Sequence, residues 1–112
     1  MNIHFEPRGG IAVIAINGSV DGLTAEELLS TLQGHVEQGH DRLVLDLEGV
    51  AYTSSAGLRA LLATVKETRR RGGDLRLARI QPNVRKVLEL SGFVTILKVF
   101  AEVDEAVESY GA

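Results

Sequence analysis

Two adjacent serines, Ser54 and Ser55, are the residues of this 112-residue chain best placed to do chemistry. They lie in Val44-Leu45-Asp46-Leu47-Glu48-Gly49-Val50-Ala51-Tyr52-Thr53-Ser54-Ser55-Ala56-Gly57-Leu58-Arg59-Ala60-Leu61-Leu62. That stretch reads as a buried strand, a loop from Gly49 to Thr53 and the start of a helix. The first amides of a helix have no partner inside it, so those of Ser55, Ala56 and Gly57 should point outward. The helix dipole adds partial positive charge at the same end. Such a place favours a phosphate, either from a ligand or attached to a side chain. A plainer role is also open: Ser54 or Ser55 caps the helix, and Gly57 lets it pack closely. The two roles are compatible, because a capping serine can also be modified.

Catalysis by these serines is disfavoured. The order Ser-Ser-Ala-Gly-Leu is not the G-x-S-x-G of a nucleophile elbow. The three histidines, His4, His35 and His40, fall in segments read as remote surface, where no base reaches Ser55. They are scattered without metal-ligand spacing, and exposed positions are expected for all three. No G-x-x-x-x-G-K-[ST] or G-x-G-x-x-G is present, so no nucleotide loop is expected. The absence of cysteine removes thiolate nucleophiles, thiolate metal sites and disulfides together. The chain is therefore read as a non-enzyme with no cofactor and no metal.

Composition agrees with a binding module. Hydrophobic residues make up 45% and charged residues 24%, close to a soluble globular average. Aromatic residues are only 4%, so the core must be built from Leu, Val, Ile and Ala. The net charge of −3 argues against a nucleic-acid binder with a large basic patch. No apolar run approaches the ~20 residues of a membrane helix, and the first residues lack the apolar middle of a signal peptide. A cytoplasmic protein without membrane insertion is expected. The length fits one domain over residues 1–112, and nothing demands more than a monomer.

The elements that must position the serines follow from the apolar periods. The run Ile11 to Ile16, bounded by Gly9-Gly10 and Gly18, predicts a buried strand. Ile3 to Glu6 is an edge-strand candidate, joined to it by a turn at Pro7-Arg8-Gly9-Gly10. Thr24-Ala25-Glu26-Glu27 fits a capping box in which Thr24 takes the Glu27 amide. Leu28, Leu29, Leu32 and Val36 then continue a helix to Gly39. Leu43 to Leu47 is a second buried strand, interrupted by Asp46. Leu58, Leu61, Leu62 and Val65 mark a second helix, closed by Arg69-Arg70-Arg71-Gly72-Gly73. Leu75 to Ala78 is a third strand. Pro82 opens a third helix with Val84, Val87 and Leu88 facing inward, and Ser91-Gly92-Phe93 stops it. Ile96 to Phe100 is a last strand, and Val103, Ala106, Val107 and Tyr110 mark a final helix.

Strands separated by helices of this length imply an α/β fold with a mixed, mainly parallel sheet. About four helices would pack largely on one face. The other face would be partly open or covered by a partner.

The serine segment resembles the phosphorylation loop of the STAS domain family, and within it the bacterial anti-sigma factor antagonists. There a D-S-[ST]-G-L or S-S-A-G-L motif follows a strand and opens a helix, and a partner kinase phosphorylates the middle serine. That serine corresponds to Ser55. Many kinase-regulated members carry Asp immediately before it, where this chain has Ser54, so Ser54 is the fallback acceptor and Thr53 a distant third. The lead-in Gly49-Val50-Ala51-Tyr52-Thr53 is similar too. Gly18-Ser19-Val20-Asp21-Gly22-Leu23-Thr24-Ala25 resembles the family's G-x-[LIV]-D-x-x-[ST]-A segment, whose Asp sits near the serine loop. Read from the residues alone, Asp21 is equally an ordinary loop carboxylate. Ser91-Gly92-Phe93 matches a third motif, and the likeness spans nearly the whole chain.

The resemblance implies a STAS-like single domain and a partner-switching role. The unmodified protein would bind an anti-sigma factor with serine kinase activity and free a sigma factor. Phosphorylation of Ser55 would release it, and a PP2C-like serine phosphatase would reset it. The implied contact surface comprises Asp21, Gly22, Tyr52, Thr53, Ser54, Ser55, Ala56, Gly57 and Arg59. A different role on the same fold is a STAS scaffold or transporter-associated protein that binds partners without a phosphorylation cycle.

Overall fold

Short β-branched runs alternate with amphipathic segments, and in the computed structural model they form a five-stranded sheet with helices on both faces. The structure describes residues 1–111. The order is β1 (Asn2–Arg8), β2 (Ile11–Asn17), α1 (Gly22–Glu37), β3 (Arg42–Gly49), α2 (Ser55–Arg70), β4 (Asp74–Ala78), α3 (Pro82–Ser91), a 3-10 turn (Phe93–Thr95), β5 (Lys98–Phe100) and α4 (Val103–Glu108). The strands lie in the spatial order β1-β2-β3-β4-β5. β1 and β2 are antiparallel, and the other neighbours are parallel. The hairpin closes through Gly9 and Gly10, with φ of 56° and 23°. A two-residue turn that matches strand twist needs positive φ at both positions, which glycine supplies without strain.

Alternation along the strands divides the core in two. Ala12, Ile14, Ile16, Leu43, Leu45, Leu75 and Leu77 share one cluster with Leu28, Leu32 and Val36 of α1, Leu58, Leu61 and Val65 of α2, and Val84 and Leu88 of α3. The opposite face carries Ile11, Val13, Val44 and Ala78. It is not left open there. Ala106 of α4, flanked by Phe100, Val103, Val107 and Tyr110, covers these residues. Three of the four helices thus share one face, as expected, and α4 alone lies on the other. The reason is that the strand starts are apolar on both faces, so the last helix has something to bury on the second side.

Polar anchors tie α4 down. The Tyr110 hydroxyl lies 2.7 Å from the Leu43 carbonyl and 2.8 Å from that of Asp74, within donating distance of both. Burial pushes its pKa up, so it remains a donor. The Arg76 guanidinium sits 3.9 Å from the Tyr110 ring centroid. Arg76 Nε donates to Asp74 Oδ2 at 3.0 Å, and Arg69 Nε donates to Asp74 Oδ1 at 2.8 Å. Burial alone would raise the Asp74 pKa. The bonds from Arg69 and Arg76 outweigh it, and the carboxyl titrates below its ordinary value.

Several sequence expectations shift. The last strand begins at Lys98 rather than Ile96, because the Ile96 and Leu97 amides both donate to the Phe93 carbonyl and keep that stretch coiled. His4 is exposed, but His35 and His40 are half-buried. Their rings lie 4.7 Å and 5.1 Å from that of Phe5. An edge strand far away in sequence supplies that cover.

Removing the Tyr110 hydroxyl tests the α4 anchor. Tyr110→Phe should cost about 1 kcal/mol, the worth of one part-buried hydrogen bond, and lower the urea midpoint. An unchanged midpoint would show that this hydroxyl is not an anchor of α4.

Candidate functional site

The central strand β3 delivers the serine loop to the end of the sheet where β2 also ends. The two outgoing segments are laced together. The Gly18 amide donates to the Gly49 carbonyl at 2.9 Å and the Val20 amide to the Tyr52 carbonyl at 3.0 Å. The Ser54 amide donates to the Val20 carbonyl at 2.8 Å. Val20 and Thr53 thus form a one-residue parallel bridge beyond the sheet proper. Val20, Val50 and Thr53 are buried beneath it. The lacing brings Asp21 and Gly22 to the same end of the molecule as Ser54 and Ser55.

The two serines part company here. Ser54 is the N-cap of α2, with φ −89° and ψ 175°, and its Oγ accepts from the Gly57 amide at 3.4 Å. It is half-buried. Ser55 is the first helical residue and is exposed. Its hydroxyl makes no hydrogen bond among the described residues, so one hydroxyl is occupied with the helix and the other is free. The open question of which serine caps is answered in favour of Ser54.

Gly57 explains how the helix start sits so low on the loop. A Cβ built there would overlap Thr53 Oγ1 and stand 2.7 Å from Val20 Cγ1. Thr53 and Gly57 are both buried, so they shape the loop and present no side-chain surface. Of the other residues singled out in sequence, Asp21, Gly22, Tyr52 and Arg59 are exposed, and Ala56 is half-buried. Tyr52 keeps 53% of its surface in solvent. Arg59 lies one turn into α2.

Asp21 has a structural task of its own. It is the N-cap of α1, and its Oδ1 accepts from the Leu23 and Thr24 amides, both at 3.0 Å. Thr24 Oγ1 accepts from the Asp21 amide at 2.8 Å, completing a capping box. The box expected at Thr24 and Glu27 is therefore displaced by three residues. Asp caps as well as Thr does, and the Val20 bridge fixes the chain just before Asp21. The backbone bond from Thr24, followed by that from its side chain, holds the Asp21 carboxyl below its ordinary value.

At this end of the molecule an exposed leucine is missing from the contact surface expected from sequence. Leu23, beside the Asp21 cap, is 85% exposed. Its signal was available: it falls off the buried stripe of Ala25, Leu28, Leu32 and Val36. Leu23 and Tyr52 are thus exposed apolar side chains on the two laced segments, the second of which leads to the free Ser55 hydroxyl and the N-terminus of α2. Among the described residues no cluster of three metal-ligating side chains occurs, and no helix is long and apolar enough to cross a membrane.

The sequence profile of the STAS domain matches residues 2–106, so the chain belongs to the STAS domain family. Within it, the chain is 38% identical over 99 residues to "Putative anti-sigma factor antagonist BtrV" of Bordetella bronchiseptica, covering 88% of this chain and 85% of that protein. It is 28% identical over 110 residues to the anti-sigma-B factor antagonist of Bacillus subtilis, covering 96% and 100%. The anti-sigma factor antagonist SpoIIAA in its unphosphorylated form superposes with a TM-score of 0.84 at 22% identity, over 97% of this chain and 96% of that one. The phosphorylated form of SpoIIAA, a Bacillus cell fate determinant, gives 0.76 at 22% identity, over 97% and 99%. These two likenesses speak for the fold.

Two variants test the lacing and the cap. Gly57→Ala forces a methyl against Thr53 and Val20 and should destabilise by about 1–3 kcal/mol, read as a lower urea midpoint; no loss would mean the loop has slack. The depressed Asp21 pKa gives a signed pH effect. Its contribution is complete above the ordinary value of 3.8 and is lost as pH falls through the lower folded value. Wild type should therefore lose more stability than Asp21→Asn between pH 6 and pH 3. Parallel losses in the two proteins would remove Asp21 from the acid response.

Proposed function

We propose that this chain is an anti-sigma factor antagonist that works by partner switching, with Ser55 as the regulated acceptor. One observation carries the assignment of the residue: the Ser55 hydroxyl is free and exposed, whereas the Ser54 hydroxyl is engaged with the Gly57 amide. The names of the relatives support the role, and membership of the STAS family supports the scaffold.

In this reading the unmodified chain binds an anti-sigma factor that has serine kinase activity, and the sigma factor is freed. Tyr52, Leu23 and the small residues around Ser55 make the docking surface. Tyrosine is among the residues that most often dominate binding energy in such contacts, so Tyr52 is the main anchor and Leu23 adds apolar area. Arg59 lies at the rim, where it meets an acidic partner group. The kinase then uses the chain as substrate. Ser55 Oγ bonds to the γ-phosphorus of ATP, the bond from that phosphorus to ADP breaks, and the hydroxyl proton passes to a base on the kinase. A PP2C-like phosphatase returns the serine by hydrolysis.

The phosphate acts on the interface and leaves the fold intact. It adds about −1.5 to −2 charges. At the N-terminus of α2 such charge is favourable by ~0.3–1 kcal/mol, because the first amides and the dipole face it. The kinase surface, fitted to a neutral hydroxyl, then meets charge and bulk. The Asp21 carboxylate, on the neighbouring segment, adds to the repulsion.

The chain incubated with its anti-sigma kinase and Mg-ATP should gain the mass of one phosphoryl group, located at Ser55 by peptide sequencing. Ser55→Ala should gain none. Ser55→Glu should bind the kinase at least about tenfold more weakly, a loss of about 1.4 kcal/mol or more, while the amide signals of Leu58 to Val65 remain helical. Phosphorylation that persists in Ser55→Ala, or loss of those helical signals in Ser55→Glu, would overturn the reading.

A further inference from the structure

The edge of the sheet farthest from β1 carries a groove that the serine site does not use. Strand β5 is the last strand, and among the described residues no further strand pairs with it. The groove beside it has a volume of about 680 Å³ and is lined by Val94 to Phe100 together with Arg69 and Arg85.

Its backbone is ready for a partner strand. The Arg79 amide donates to the Phe100 carbonyl at 3.1 Å. In a parallel ladder with Arg76 opposite Lys98 and Ala78 opposite Phe100, Lys98 and Phe100 thus turn their N–H and C=O groups toward β4. Val99, between them, turns both of its groups outward. Just upstream the Ile96 carbonyl is taken by the Arg69 guanidinium at 2.7 Å, which fixes the entry to the strand. Ile96 leaves apolar surface in the groove and is exposed.

The charges choose the occupant. Arg69 is engaged with Asp74 and Ile96. Arg85 and Lys98 are exposed, and neither has an ion-pair partner among the described residues. Arg85 comes from α3 on one face of the sheet. Lys98 is in register with Arg76, whose side chain belongs to the other face. The open edge is therefore flanked by an unpaired cation on each side, in a chain whose net charge is −3. Two copies placed edge to edge would bring both sets of cations together, so a second copy is a poor fit.

We propose that the outer edge of β5 docks an extended, acidic peptide segment of a partner protein, added to the sheet as a sixth strand. The Val99 N–H and C=O supply the paired backbone bonds, Ile96 gives apolar contact, and Arg85 and Lys98 receive carboxylates on alternate faces. The surface is separate from Ser55, so a segment bound here stays attached whatever the state of that serine.

The test uses the full chain and a blocked heptapeptide, Thr-Val-Glu-Glu-Val-Glu-Thr, with the same peptide carrying Lys for Glu as control. The acidic peptide should bind saturably. Amide shifts should concentrate at Arg85 and residues 94–100, and exchange of the Val99 amide should slow. The Lys peptide should bind at least about tenfold more weakly, as should the acidic peptide to the Arg85→Glu/Lys98→Glu double variant. Ser55→Glu should bind the acidic peptide as wild type does. Equal binding of both peptides, no saturation at millimolar concentration, or an unprotected Val99 amide in the complex would overturn the proposal. So would sedimentation of the free chain as a dimer that Val99→Pro dissolves, since the occupant would then be a second copy.

Discussion

The Val20–Thr53 bridge is the constraint on which the serine site depends. Two chain segments leave neighbouring strands at the same end of the sheet, and each must turn into a helix. Left separate, each would be an ordinary mobile connection. The amides of Val20 and Ser54 bond across instead, at 3.0 and 2.8 Å, and the buried side chains beneath lock the pair. Everything at the site inherits its position from this contact: the Asp21 cap on one side, the Ser54 cap on the other, and the Ser55 hydroxyl held just above.

The bridge also explains the division of labour between the serines. Gly57 has no side chain, so α2 can descend onto Thr53 and Val20. The Gly57 amide is the third of that helix start, where the cap side chain Ser54 Oγ accepts it at 3.4 Å. Ser54 is thereby committed to the helix, and Ser55, one residue on, rotates into solvent. The phosphate proposed at Ser55 would meet the unpaired amides of a helix start without breaking a capping bond. Chemistry at Ser54 would remove the cap and place bulk in a half-buried position. The geometry separates a hydroxyl that builds the site from one that is left free in solvent.

Much of this was legible in the sequence because its signals are local. The apolar run of β2, Pro82 at the start of α3 and Gly92 at its end each state their role within a few residues, and the structure follows them. Gly92 does adopt a left-handed conformation, with φ of 80°. The failures share the opposite property. The α1 cap moved to Asp21 because a bond to a residue over thirty positions away fixes where the helix begins. His35 and His40 were expected in solvent, and Phe5 from an edge strand covers them. The second sheet face was expected to be partly open or covered by a partner, and nothing in the sequence marks α4 as the element that covers part of it, through Tyr110 contacts with strand starts far upstream. Periodicity reports which face of an element is apolar and says nothing of which distant element arrives to meet it.

Amide hydrogen exchange on the unmodified chain tests the central constraint most directly. If the laced loops are one unit, the Val20 and Ser54 amides are protected to the level of the β3 amides, while those of Ser55 and Ala56 exchange close to the rate of an unstructured chain. Val20 and Ser54 amides that exchange as fast as Ser55 would contradict the account, because the loops would then open independently and nothing would hold the Ser55 hydroxyl in place.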